Sequence, residues 1–551
     1  MLFITALATA TPPSIVSVRC PDAASNTLEY RGCRLSRTHD PTATVTASYN
    51  TSTNVTTGFA TLDISARAKA SPQKAAYAAG LAEGYQTAAD LALFYGNVYE
   101  FGRRGPSQAL VNFVEKNDKW TRQQAEAGAA AYDEYWMAVA LVLARFDGTL
   151  AGYQKAQSED PEALPKMTKL DLLWVNLDGD LFDLQRAIGM ASNETLVGDD
   201  MLIGRGGRAA RLFSAQQDPN RVLRCSSLFK RTADDVYFGH ATWDTYATAA
   251  PRIFKHLTLP VAHADGTSSL RTISMSSSPG FMSSIDDYYL VGEPTANVNL
   301  GVIETSISIE DGSAYSAVTP KSVLCWVRSM AANQVAMDAP SWAKAFATHA
   351  SGTYNNQWLV IDNTKAEKGL SATNGANALE KDTFWVLEEV PGLVHAEDQT
   401  PHLNNKGYWP SFNEIYYPST RKIAGAHGSY DHAMRYKLFA ELEGNVTDPE
   451  SMRYVMAWND YQNDPGHIAK GPGDAIMSRG DLGWGGRAGG GIDAKISSVK
   501  LAAKGLTSFG RAGPTNDDQP PFCWTDKFDG TPHAGHPHCF DFEWAAFAPM
   551  K

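Results

Sequence analysis

The spacing of apolar residues divides the chain into two textures. Between about residues 70 and 215 they recur three and four apart, the period of a helix with one buried face. Lys74 to Val98 is Ala-rich and predicts one helix, Ala125 to Arg145 a second long one, and Asp171 to Met190 a third. The run Trp136 to Leu143 is the most apolar stretch. It is bounded by Asp133, Glu134, Arg145 and Asp147, so it reads as a buried core helix. A membrane-spanning helix needs roughly 18 apolar residues, and no run reaches that. After Arg221 the texture changes to β-branched and aromatic runs broken by Ser, Gly and Asp. Val236–Phe238, Leu270–Met275, Tyr288–Val291, Val302–Ile309, Trp358–Ile361 and Thr383–Val390 predict strands, with a helix over Ser329–Thr348 between two of them. Residues 11–60, rich in Thr, Ser and Pro, read as an extended N-terminal segment. The C-terminal third reads as loop-rich. The expectation is helices first, then a mixed α+β layered body, with no internal repeat.

Composition adds compartment and partners. The chain has 551 residues, of which 43% are hydrophobic, enough for a large core. At about 150 residues per domain the length allows three or four domains, or one large layered domain. Its 48 basic and 60 acidic side chains leave a net charge of −12, which disfavours sequence-independent nucleic-acid binding. Residues 1–10 form a short apolar stretch ending in Ala-Thr-Ala, the pattern of a cleavable leader. It lacks a basic start, so the reading includes a truncated or misassigned beginning. Acceptor sequons for N-glycosylation stand at Asn50, Asn54, Asn193 and Asn445. With the leader they favour the secretory route. Of six cysteines, Cys20 and Cys33 are 13 apart and Cys523 and Cys539 are 16 apart, so each pair could close a loop in an oxidising compartment. Cys325 lies in the apolar Val323–Val327 and reads as packing. Cys225 lies between polar and basic residues, a better setting for a reactive thiol.

Ile203 to Arg224 carries five arginines and three glycines without aliphatic periodicity, which predicts an exposed, cleavable connector. It ends at Cys225, so a cut site and a candidate nucleophile adjoin. Other signals are weaker. Gly204 to Ala209 fits G-x-G-x-x-A but lacks the strand and distal acid of a dinucleotide site. No G-x-S-x-G or H-E-x-x-H occurs. His533, His536, His538 and Cys539 read as a surface loop before a metal site, and the glycines of Gly483–Gly491 as a turn. No cofactor or metal is expected.

A set of ordered blocks is more specific. They include RCSSLFK (224–230), GHATWDTY (239–246), SSSPGFMSSIDDYYL (276–290), VIETS (302–306), SGTYNNQW (351–358), LEEVPGLV (387–394), WPSFNEIYY (409–417), YDHAMRYKLF (430–439), WNDYQNDP (458–465) and AIMSRGDL (475–482). Together with Ala79–Thr87, which carries an EGY segment, they resemble the phospholipase B-like, or lamina-ancestor-like, family over roughly residues 70–550.

That resemblance implies an α+β fold, a four-layer αββα sandwich of the N-terminal nucleophile hydrolase type with a mostly helical N-terminal part. It implies a helical chain over 11–224, cleaved from a chain over 225–551 that carries the nucleophile, both forming one domain and staying associated. The cut falls between Arg224 and Cys225. Cys225 becomes the nucleophile, and its freed amine the base. Asn413 is placed to donate to an oxyanion. Arg435 is placed to lower the thiol pKa or orient the cysteine main chain, His240 to assist proton transfer or orient Cys225, and Trp243 to line the pocket. Thr305 and Ser306 occupy a position where the family has two threonines. The implied substrate is a phospholipid or other acyl lipid, and the implied location lysosomal or secreted. Two features depart from the family pattern. The region 466–471 has no Cys-x-x-Cys, and the residue before the nucleophile is Arg224 instead of a small one, which leaves self-cleavage and an outside protease both open. The alternatives to a phospholipid acyl hydrolase are an amidase on N-acyl lipids or small peptides, and a catalytically silent binding glycoprotein.

Overall fold

The computed structural model describes residues 13–21, 32–99, 106–192, 224–371, 378–483 and 485–550. The stretch expected as a leader, Asn193 and nearly all of the Arg/Gly-rich segment expected as a connector lie outside the described residues. The fold is α+β. An eleven-stranded sheet runs, edge to edge, through Leu393–Asp398, Phe384–Val390, Asn356–Asp362, Val298–Ser306, Tyr288–Glu293, Ser268–Ser277, Arg252–Ala262, Phe59–Ala66, Val45–Asn50, Ser14–Arg19 and Arg34–Ser36. A six-stranded sheet runs through Tyr408–Ser411, Arg224–Arg231, Val236–Thr245, Gly489–Ser498, Ser508–Ala512 and Ala545–Phe547.

Alternation along the strands sorts their side chains into layers. In the large sheet Leu257, Val302 and Val360 face a helical layer, where they join Leu81, Val142, Phe146 and Trp342. Their neighbours Phe254, Ile303 and Leu359 face the other way and meet Phe229, Phe238 and Trp409 of the small sheet. On that sheet Leu228, Tyr237 and Ile496 point outward, onto Leu438, Phe439, Met452 and Met456 of the helices Met434–Leu442 and Pro449–Ala457. Both sheets are thus covered on both faces. That explains why Gly489–Ser498, buried at all ten positions, shows no polar–apolar alternation.

Several expectations change. Each predicted long helix resolves into two. Lys74–Val98 is Pro72–Gln86 and Ala88–Val98, and Asp171–Met190 is Lys169–Asn176 and Asp178–Ser192. Ala125–Arg145 spans the end of Gln108–Ala130 and the start of Glu134–Glu159. There Tyr132 is left-handed (φ 57°) and Asp133 accepts from Trp136 N, starting a new helix. Ser329–Thr348 likewise splits, into Cys325–Val335 and Ala339–Ala347. Residues 11–60 supply strands of the large sheet, and the last strand of that N-terminal group, Phe59–Ala66, pairs in parallel with Arg252–Ala262. The C-terminal third holds a central strand of the small sheet, Gly489–Ser498. Of the glycines expected as a turn, Gly483, Gly485 and Gly486 do lie in a bend and turn, while Gly489–Gly491 begin that strand. Gly490 (φ 135°) passes so close to Ser478 O that a side chain would collide with it. Both expected disulfides, Cys20–Cys33 and Cys523–Cys539, are formed.

Two features tie the helical layer to the sheet. Helices Pro72–Gln86 and Glu134–Glu159 meet through glycines on both sides. A Cβ at Gly80 or Gly84 would run into Arg145 O or Thr149 O, and one at Gly148 or Gly152 into Tyr77 O or Leu81 O. At this approach Glu83 is fully buried, 2.7 Å from Lys255 Nζ on the sheet and 3.2 Å from Arg145 Nε. Further along, Asp180 accepts from Thr353 Oγ1 (2.5 Å) and from Cys325 N (3.3 Å), and so anchors Asp178–Ser192, the last described helix before the connector.

Two predictions follow from this packing. Gly148→Val should lose about 1–3 kcal/mol or fail to fold, read as a lowered denaturation midpoint, because no side-chain rotation relieves a backbone clash. Burial pushes the Asp180 carboxyl up to about 7 from an ordinary 3.8. Between those values the folded chain holds a proton that the unfolded chain has lost, so this group's stabilisation is present at low pH and fades as pH rises through 7. Denaturant melts of Asp180→Asn should therefore gain on wild type as the buffer moves from mildly acidic to mildly alkaline.

Candidate active site

Cys225 lies at the head of Arg224–Arg231, an interior strand of the small sheet. Its side chain shares the parity of Phe229, so it faces the large sheet. It is buried and not disulfide-bonded. Antiparallel pairing places Thr242 opposite Cys225, and places Lys495 opposite His240 on the next strand. Ser411 pairs with Ser227 on the other side, so the chain leaving that edge strand turns back over Cys225 at Asn413. The turn is left-handed (φ 74°), a conformation that Asn tolerates better than most side chains.

Asn413 and Arg435 hold the main chain of Cys225. Asn413 Oδ1 accepts from Cys225 N at 3.1 Å and from Arg435 at 2.7 Å. Two donors converging on one atom identify it as the amide oxygen. The amide nitrogen, expected to face an oxyanion, donates to Ser306 O at 2.7 Å. Arg435, buried in the helix Met434–Leu442, donates to Cys225 O at 2.5 Å and Ser226 Oγ at 3.1 Å. Its guanidinium sits 4.5 Å from the Trp243 ring, and the ring's own Nε1 donates to Ile476 O. Thr305 Oγ1 shares a 2.6 Å hydrogen bond with Ser411 Oγ, joining the large sheet to the strand that delivers Asn413. The structure thus brings Cys225, Asn413, Arg435, Trp243, Thr305 and Ser306 into one linked group.

His240 belongs to it as well. It is fully buried, and burial first, then the Lys495 cation, push its imidazole well below its ordinary range, so it is neutral. Sulfur, ring nitrogen and carboxylate oxygen of Cys225, His240 and Glu304 lie within 4.8 Å of one another, the one such trio with metal-ligand chemistry among the described residues. Its surroundings oppose a cation. Lys495 Nζ lies 3.1 Å from His240 Nδ1, where a cation bound to that nitrogen would have to stand. The His533–His538 segment carries two further contacts. Cys539 is in its disulfide, and His533 stacks on Trp524 at 4.1 Å. Cys325 is buried at a helix start, and burial drives its thiol well above the ordinary range, as expected of inert packing.

Sequence reasoning missed Glu304, Thr242, Asp493 and Lys495. The last two sit in Ile492–Ser498, where acid and base two apart signal one face of a strand. The surrounding glycines hid that signal.

Comparison with known proteins agrees with the motif reading. The family model described as Phospholipase B matches residues 45–547. The chain is 32% identical to bovine (Bos taurus) Phospholipase B-like 1, over 91% of this chain and 88% of the relative. It is 33% identical to the human (Homo sapiens) Phospholipase B-like 1, over 91% and 86%. To Phospholipase B of the rattlesnake Crotalus adamanteus it is 32% identical over 86% and 82%. This chain belongs to the phospholipase B family.

Proposed function

We propose that the protein is an acyl hydrolase of the N-terminal nucleophile type that removes fatty acyl groups from phospholipids. The observation that carries this reading is the double grip on Cys225, with its N–H on Asn413 Oδ1 and its C=O on Arg435. The arrangement suits a residue whose amide nitrogen becomes a free amine that must stay beside its own thiol.

In the precursor the Cys225 sulfur attacks the Arg224 carbonyl carbon. The peptide C–N bond breaks, nitrogen takes the proton, and a thioester forms. Water hydrolyses the thioester, leaving a carboxylate on Arg224 and a free Cys225. In the mature enzyme the α-amine takes the thiol proton, and the thiolate attacks the ester carbonyl. Collapse of the tetrahedral intermediate expels the lipid alcohol, protonated by the ammonium. Water, deprotonated by the amine, then releases the fatty acid. Asn413 Oδ1 orients the amine by accepting one of its protons, and neutral His240 stands within 4.8 Å of the sulfur without adding charge. Service of the Asn413 NH₂ at the oxyanion requires it to leave Ser306 O. A cut in the connector leaves Phe59–Ala66 paired with Arg252–Ala262, which supports two chains that remain associated. Among the described residues no helix is long and apolar enough to cross a membrane. The two disulfides fit the secretory route, and so do the sequons at Asn50, Asn54, Asn193 and Asn445 together with the leader-like start.

The reading predicts fatty-acid release from phosphatidylcholine by wild type and none by Cys225→Ala. Turnover of an N-acyl amide with no release from phosphatidylcholine would move the substrate class to amides. Equal ester hydrolysis by both proteins would remove Cys225 from the mechanism. Arg435→Lys keeps the charge but cannot reach Cys225 O and Asn413 Oδ1 with one fork. The loss of a charged hydrogen bond should lower kcat roughly ten- to hundredfold, in a protein whose circular dichroism matches wild type.

A further inference from the structure

Behind His240 lies a row of charges that the reaction above does not use. Lys495 is fully buried, and its ammonium is shared among Asp493 Oδ1 (2.5 Å), Thr242 Oγ1 (2.6 Å) and His240 Nδ1 (3.1 Å). Those three acceptors match its three protons. Asp493 is bound in turn by Arg252 of the large sheet (2.5 Å), which also pairs with Asp286 and donates to Ser278 Oγ (2.7 Å). Burial acts to raise the Asp493 carboxyl, but Lys495 and Arg252 outweigh it and hold it below its usual range. Burial lowers the Lys495 ammonium, and the Asp493 carboxylate acts against that to hold its proton. The row spans the space between the sheets and ends on the imidazole beside Cys225. A buried charge needs compensation, and hydrophobic residues of similar size would fill such a gap at lower cost. The register shows what this row adds. Thr242 faces Cys225 across one strand pair, and Lys495 faces His240 across the next, so the ammonium sits one strand behind the sulfur on the same inner face.

We infer that Lys495 is a positioning residue of this site, fixing His240 as the Nε2–H tautomer and serving as the buried cation that favours the Cys225 thiolate. The inference rests on Cys225 being the nucleophile. Its two parts have one cause. An ammonium has no lone pair, so it can only donate to Nδ1, which forces the remaining ring proton onto Nε2. A positive charge near a thiol favours its ionised form. Around the Cys225 sulfur stand His240 and Glu304, with Lys495 next to His240 and Asp493, Arg252 and Asp286 in the row behind it; Arg435 reaches the Cys225 main chain from the outer helix. Glu304 opposes the thiolate and Arg435 supports it, so the effect of Lys495 is read as a difference between variants.

The test is the pH dependence of Cys225 alkylation by iodoacetamide, followed by mass spectrometry of the Cys225 peptide in full-length protein. Lys495→Met should shift the midpoint upward by about one pH unit, making alkylation roughly tenfold slower below it. The paired variant Asp493→Asn with Lys495→Met leaves no unpaired acid and should shift it likewise. A profile superimposable on wild type in either folded variant overturns the inference. Heteronuclear NMR of isotope-labelled histidine in wild type gives an independent decision: a His240 carrying its proton on Nδ1 also overturns it. If Cys225→Ala retains full hydrolysis, the nucleophile reading falls, while the alkylation profiles still decide whether Lys495 governs the thiol.

Discussion

The amide oxygen of Asn413 accepts two hydrogen bonds, one from the Cys225 main chain and one from Arg435. Everything around the candidate site acts to keep that oxygen in place. The edge strand Tyr408–Ser411 must pair with Arg224–Arg231 so that the chain turns over Cys225. The turn must be left-handed, and the NH₂ must be occupied by Ser306 of the opposite sheet so that the oxygen faces inward. Arg435 must come from the outer helical layer, past the Trp243 ring, to reach the same atom. One residue thus joins both sheets and a covering helix, and the main-chain polar groups at the head of an interior strand are held by two side chains, Asn413 and Arg435.

The layering that permits this is apolar, with charge placed at chosen points. Phenylalanines and branched aliphatic residues fill most of the space between the sheets, while Arg252, Asp493 and Lys495 form a charged row beside His240. Glu83 with Lys255 and Arg145 does the same between the large sheet and its helices. Each such cluster costs desolvation that its internal pairing must offset. At both places the charges tie together elements far apart in sequence, which shape-filling contacts alone would leave free to slide.

Much of this was legible in the sequence, and the limits have physical causes. Strands such as Asn356–Asp362 and Phe384–Val390 announce themselves by β-branched and aromatic runs. Gly489–Ser498 does not, because a central strand covered on both faces has no alternation and this one begins with glycines. Helix ends were misplaced wherever a left-handed residue or a side-chain cap started a new helix inside one periodic run, as at Tyr132 and Asp133. Ordered motif blocks pointed to Cys225, His240, Asn413 and Arg435. They did not reveal that Asn413 presents its oxygen to Cys225, since which end of an amide faces a partner depends on donors from distant segments. Lys495 was invisible for a related reason: its meaning comes from cross-strand register with His240, 255 residues away.

The central claim is that Cys225 becomes an N-terminal nucleophile through its own chemistry. It is tested most directly by N-terminal sequencing of purified wild type and Cys225→Ala after incubation at mildly acidic pH. The account predicts a chain beginning at Cys225 in wild type and an intact connector in the variant. Equal cutting of both proteins, or an uncut wild type that hydrolyses phospholipid, would contradict it.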